Sequence, residues 1–296
     1  MELATFAQFT LSGLTTGCVY ALVALGFVLC ANVSGIVNFA QGEYVMVGGI
    51  VAAGLAAISV PLYVALPAAV IGGAVLGLLQ ERLTVAPIRR APMFLQATVA
   101  LGVAVLIRSV ALVVWGKDPY GMPGFLGDDV FEVLGAYLPR QALFVWGATA
   151  AFLGATFWLL KYTELGRAIR AVAINPRAAT LMGIRTARVS LLVFAASGAA
   201  GALAGIVIAP ITSASWDSGL EFGVKGFTGA IIGGFRSPFW ATIAALGLGI
   251  LESLAAGYVS SEAKDIVTYG ALLAYLMIRG GVFAVGRRAA AATESH

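Results

Sequence analysis

Apolar residues run through this chain in long stretches, parted by short loops that carry most of the charge. A helix crosses a bilayer with about 20 mostly apolar residues. Stretches of that kind fall near 10–31, 40–59, 62–81, 94–115, 141–161, 189–209, 219–236, 238–256 and 265–283. They predict an all-α polytopic membrane protein with eight or nine transmembrane helices. The seventh stretch holds Lys225 and many glycines, so it reads as a short, broken or re-entrant segment as well as a full span. With neither a soluble domain nor a low-complexity linker in view, residues 1–296 read as a single transmembrane domain. One long loop, about 162–188, lies outside the bilayer.

Composition sharpens this. Hydrophobic residues make up 60% of the chain and charged ones 11%, against roughly 25% charged in an average soluble domain. There is too little polar surface to cover such a core in water, so the solvent is lipid. The net charge of +4 does not point to nucleic acid, because the basic residues sit in short loops between apolar runs. That distribution is the positive-inside pattern. Arg82, Arg89 and Arg90 mark one cytoplasmic loop. Lys161, Arg167, Arg170, Arg177, Arg185 and Arg188 mark the long loop, and Arg287 and Arg288 the tail. The loop with Asp118, Asp128, Asp129 and Glu132 faces outside. With nine spans the N-terminus is outside and the C-terminus cytoplasmic. The opening "MELATFAQFT" lacks the basic region and cleavage site of a signal peptide, so the first span is expected to stay.

Candidate catalytic chemistry is thin. The one histidine is His296, and no His/Cys/Asp/Glu cluster has metal-ligand spacing. Neither a G-x-S-x-G turn nor a G-x-x-x-x-G-K-[ST] phosphate loop occurs. The chain is expected to hold no cofactor and to hydrolyse no ATP. Cys18 and Cys30 both lie in the first apolar run and read as small buried apolar residues.

Polar residues inside apolar runs are the more informative signal. "SGIVNFAQGEYVMVGG" places Asn38, Gln41, Gly42 and Glu43 together near the second span. In one reading Asn38 caps that helix at its cytoplasmic start and Gln41 completes a capping box, with Glu43 in the first turns, where the helix dipole favours it. In the other, these residues line a translocation route or its gate. Arg108, Lys225 and Glu252 all fall in the outer half of the membrane by the span limits. Glu252 is then expected to pair with Arg108 or Lys225, the rival being snorkelling with a Glu221–Lys225 contact. Gly201-x-x-x-Gly205 and Gly229-x-x-x-Gly233 serve either packing within the bundle or a seam with a second membrane subunit.

The long loop contains a complete short helix. Asn175 is a good N-cap, Pro176 suits the first turn, and Gly183 suits the stop after Met182. Between them lie Arg177, Ala178, Ala179, Thr180 and Leu181. Small and apolar groups outside the bilayer need a cover, either lipid headgroups or a cytosolic partner.

Five segments, "GLTTGCVYALVALGF", "GIVNFAQGEYVMVGG", "ERLTVAPIRRAP", "TELGRAIRAVAINPRAATLMGI" and "GVKGFTGAIIGGF", resemble in order the motifs of the branched-chain amino acid ABC transporter permeases. The match is closest to the shorter of the two permease subunits of such systems, and runs from about Gly13 to Phe283. The departures are Ala86 for a common arginine, "RGGVFAVG", and Arg236, Phe239 and Trp240 where small residues are usual. The resemblance implies a permease subunit in a bacterial-type inner membrane. It implies a second permease subunit in a heterodimer, two cytosolic ATP-binding subunits and a periplasmic substrate-binding protein. It makes Asn175 to Gly183 the coupling helix seated in an ATPase, and it favours the route or gate reading of Asn38 to Glu43. The same fold also suits urea, short amides or another small solute. A stand-alone secondary transporter and a membrane protein with no transport role are the rivals from other classes.

Overall fold

The computed structural model describes residues 2–278, except 128, 134, 236, 262 and 263. The chain is mostly helical. It opens with α1 (Glu2–Ser34), α2 (Gln41–Ala57) and α3 (Leu62–Gln80). A π-helical turn (Glu81–Val85) and α4 (Ala86–Ile88) lead into α5 (Met93–Trp115). The loop expected outside forms an antiparallel hairpin of β1 (Val130–Val133) and β2 (Ala136–Pro139), with Val130 opposite Pro139. Then come α6 (Gln141–Tyr162), α7 (Glu164–Ile174), α8 (Pro176–Leu181), α9 (Thr186–Thr212), α10 (Ser218–Ile232) and α11 (Pro238–Tyr258). Residues 264–278 are helical again. The rest of the expected ninth span, residues 279–283, lies outside the described residues, as do Asp128, Arg236, Arg287, Arg288 and His296.

Among the described residues, six helices are long and apolar enough to cross a membrane: Leu3–Ser34, Leu62–Ile88, Met93–Trp115, Gln141–Tyr162, Thr186–Thr212 and Pro238–Tyr258. The bundle has a hairpin end and an α8 end, joined by α6. At the hairpin end, backbone bonds of 2.8 and 2.9 Å tie Tyr120 to Ala214 beyond α9. α1 is the central helix, with Val19, Ala21, Leu22, Val23, Ala24, Leu25 and Cys30 wholly buried. Cys18 and Cys30 are buried free thiols. α3 and α5 turn Ile71, Val75, Val105, Leu106 and Val113 outward, as a lipid solvent allows.

Two helices are short. α2 has 17 residues and α10 has 15, or about 26 and 23 Å against a hydrocarbon core of about 30 Å. α2 is short because it begins inside the bundle. Gln41 meets Ser197 of α9 and lies against Gly26 of α1. Gly26 is eight residues before the end of α1 at Ser34, which is about 12 Å. The chain therefore folds back into the bundle before α2 starts. This corrects the expectation that Asn38 marks a helix start at the membrane edge.

Both glycine pairs are consumed within the chain. A Cβ on Gly205 would fall on the Val45 carbonyl of α2, and Gly201 lies against Tyr44. Gly229 and Gly233 lie against Ala245 and Ala241 of α11. Small residues let these backbones approach, and the packing reading holds over the subunit seam.

Candidate functional site

α10 carries Glu221 and Lys225 one turn apart. Lys225 is 1% exposed, yet its ammonium is well satisfied. Its Nζ lies 2.5 Å from Glu252 of α11, 2.8 Å from Glu221 and 3.5 Å from Asp265. Tyr20 of α1 donates its hydroxyl to the other Glu252 oxygen at 2.9 Å. This cluster lines a cavity of about 810 Å³ near the hairpin end. Ser12, Thr16 and Tyr20 supply a further wall, since residues four apart share a helix face. Acid exceeds base in the lining, with Asp217, Glu221, Glu252 and Asp265 against Lys225 and Lys264. The cavity can hold a small polar solute with both charge signs, and Leu220, Phe222 and Val224 offer it an apolar side.

Of the two pairings expected for Glu252, the structure forms the one with Lys225. The Glu221 contact predicted for a snorkelling lysine is present as well. Arg108 is elsewhere: it donates to Glu43 of α2. The span limits put Arg108 and Glu252 in the same half of the membrane but say nothing about direction. α5 packs on α2, on another side of the bundle from α11. Sequence reading missed Tyr20 and Asp265. The four-residue spacing of Ser12, Thr16 and Tyr20 within an apolar run was the available signal for the first.

The start of α2 forms a second polar centre, and its side chains do not make a capping box. Asn38 accepts from Gln80 of α3 at 2.6 Å and donates to the Tyr44 hydroxyl at 3.2 Å. Tyr44 in turn donates to Gln80. Gln41 accepts from the Ser197 hydroxyl at 2.5 Å and donates to the Ser197 carbonyl at 3.1 Å. Asn38 does bond the Ala40 amide, at 3.2 Å, so it shapes the turn before the helix. A re-entrant segment in lipid has to satisfy its polar groups within the protein, and these bonds do so. Gly42 packs on Gly219 and Gly223, which seats α10 against α2.

Glu43 is 2% exposed, and its Oε2 has no hydrogen-bond partner among the described residues. Arg108 is thus its main counter-charge. Arg108→Leu should destabilise the chain by about 3–5 kcal/mol, because it strands a buried carboxylate. Adding Glu43→Leu should recover most of that loss. Thermal unfolding of the purified single and double variants checks this, and strictly additive effects would refute the coupling.

At the other end of the bundle, the side chain of Asn175 accepts from the Arg177 and Ala178 amides, both at 3.0 Å, and so caps α8. Pro176 opens the helix, Met182 closes it, and Gly183 follows with φ +85°. Ala179 is 4% exposed and faces the chain's own core. Leu181 and Met182, by contrast, are 89% and 83% exposed. Ile174, at the end of α7, is exposed too. Ala178 is exposed as well, so of the apolar body expected to await a cover only Ala179 is covered by the chain itself.

Residues 9–276 match the family described as "Branched-chain amino acid transport system / permease component". The chain belongs to that permease family. The permease is 31% identical over 287 residues to the high-affinity branched-chain amino acid transport system permease protein LivH of Escherichia coli K12, covering 92% of this chain and 93% of that protein. It is 26% identical to the corresponding protein BraD of Pseudomonas aeruginosa, over 94% of this chain and 95% of that one. The ribose import permease protein RbsC of Escherichia coli K12 is 30% identical over 73% of the permease and 66% of its own length.

Proposed function

We propose that the permease is the membrane-spanning subunit of an ABC importer that carries branched-chain amino acids across the inner membrane. The observation that carries this reading is the family match over residues 9–276. ATP hydrolysis belongs to two cytosolic ATP-binding subunits. A second permease subunit completes the pathway, and a periplasmic binding protein delivers the cargo. The loop charges put α8 on the cytoplasmic side and the hairpin outside. α2 and α10, although short, count as membrane-embedded helices, which gives eight or nine in all.

The polar cavity suits the reading chemically. A branched-chain amino acid is a zwitterion with an apolar side chain. Surplus carboxylates can meet its ammonium, Lys225 its carboxylate, and Leu220, Phe222 and Val224 its side chain. The Asn38, Gln41 and Glu43 centre lies on the α2 side of the close contact between α2 and α10. It is the proposed gate region, with Glu43 offering its free oxygen. α8 is the coupling helix, and Leu181 and Met182 are the groups that enter an ATPase.

Deleting the gene should abolish high-affinity leucine, isoleucine and valine uptake, and the plasmid-borne chain should restore it. Labelled ribose, urea and acetamide are the comparison solutes. Loss of one of these with leucine uptake intact would assign a different cargo. Leucine transport that persists without any ATPase would turn the chain into a secondary transporter.

A further inference from the structure

A second cavity, of about 790 Å³, lies at the α8 end between the end of α1, the face of α7 and the start of α11. Its walls are mostly apolar, with Leu29, Val33, Leu160, Ile169, Val172 and Pro238, while Asn32 and Ser34 add polar groups. One charged side chain, Arg170, stands in its lining. Some other arginines of the chain have carboxylate partners, whereas Arg82, Arg90, Arg177, Arg185 and Arg188, like Arg170, have none among the described residues. Arg89 pairs with Glu81, Arg140 with Asp129, and Arg167 with Glu164 at 3.4 Å. Arg170 has no carboxylate within ion-pair distance among the described residues. The groove therefore has a mostly apolar interior and an unmatched cation.

Its depth is marked by aromatic rings. Trp158 and Tyr162 are exposed on the last turns of α6, and Phe239 and Trp240 on the first turn of α11. Phe157 meets Phe239 with ring centroids 6.0 Å apart, so the two helix ends are level. Exposed Trp and Tyr at helix ends mark the headgroup level of a bilayer. Pro238, beside Phe239 and Trp240, lines the groove.

We infer that this groove is a binding site for an anionic phospholipid, with the phosphate on Arg170 and acyl chain in the cavity. A lipid is the occupant the observations select. The groove opens at the aromatic girdle, its charge complements a phosphate, and basic pockets between helix ends on the cytoplasmic side suit anionic headgroups. The surface offered to a protein partner, Leu181 and Met182, is outside the lining, although Ile174 at the end of α7 and Pro176 at the start of α8 belong to it. The inference rests on the proposed orientation, with α8 on the cytoplasmic side, and stands apart from the choice of cargo.

The test uses the full-length chain, purified with its co-expressed partners and placed in nanodiscs of equal parts phosphatidylcholine and phosphatidylglycerol. Native mass spectrometry then reads the lipid that stays bound. The wild type should retain phosphatidylglycerol in preference. Arg170→Gln should lower that preference about fivefold, which is the weight of one basic residue near an anionic headgroup. Arg167→Gln, already paired with Glu164 and outside the groove, should leave it unchanged. Equal lipid ratios in wild type and Arg170→Gln would overturn the site. So would an equal loss in Arg167→Gln, which would mean diffuse charge attraction. Loss of the ATPases from Arg170→Gln with lipid retention unchanged would give the groove to the protein partner and also overturn it.

Discussion

Lys225→Met should remove both stability and transport. Lys225 is the cation that three carboxylates converge on, and Glu252 is nearly as buried as it is. Without Lys225, Glu252 keeps the Tyr20 hydroxyl alone among the described residues. Stranding a buried carboxylate this way costs about 3–5 kcal/mol. Glu221 and Asp265 are each 51% exposed, so they add little to that loss. Lys225→Met with Glu252→Gln should fold nearly as well as the wild type, because neither charge is then left alone. Leucine uptake should stay low in the double variant, since Lys225 is the proposed partner of the substrate carboxylate. Uptake restored along with stability would make the pair purely structural. A Lys225→Met chain with wild-type unfolding and uptake would remove the cluster from both roles.

The second large effect is expected at α8. Leu181→Asp with Met182→Asp places two charges on a surface that the proposed partner would bury. The ATPases should no longer co-purify, while the permease keeps its own unfolding temperature, because both side chains are exposed in the isolated chain. Ala179→Asp should act differently. Ala179 is buried within the chain, in the core that Val189 and Val193 of α9 share, so the new charge should destabilise the permease itself. Unchanged co-purification in the double aspartate variant, with uptake intact, would remove α8 from the coupling role.

Some of this was legible because lipid imposes strict rules. Every apolar run had to become a helix, since an unpaired backbone is not tolerated in the hydrocarbon. α3, α5, α6 and α9 accordingly appear close to where hydropathy put them. The α8 cap was legible for a local reason: Asn175 and Pro176 act on backbone groups within three residues of themselves. Depth could be read along a helix, and it led to the Lys225–Glu252 pair. Direction around the bundle could not, because a span limit fixes one coordinate only. Arg108 therefore stayed open as an alternative partner of Glu252, and it pairs with Glu43 instead. The re-entry before α2 was hidden for another reason. Asn38 and Gln41 have the chemistry of a capping box, and only Gln80 and Ser197, distant in sequence, reveal that they serve tertiary bonds instead. The orientation of Ala179 was equally closed to the sequence, because a helix of six residues has too little periodicity to define an inner face.

The most direct measurement is leucine accumulation in proteoliposomes that hold the permease with the proposed companion permease and ATPases, the proposed binding protein being added. Accumulation should require internal or external ATP on the side that exposes the ATPases, and should vanish when an ATPase carries an inactive catalytic site. Leucine movement of equal rate without ATP, or ATP-dependent accumulation that proceeds when this chain is left out, would contradict an importer permease.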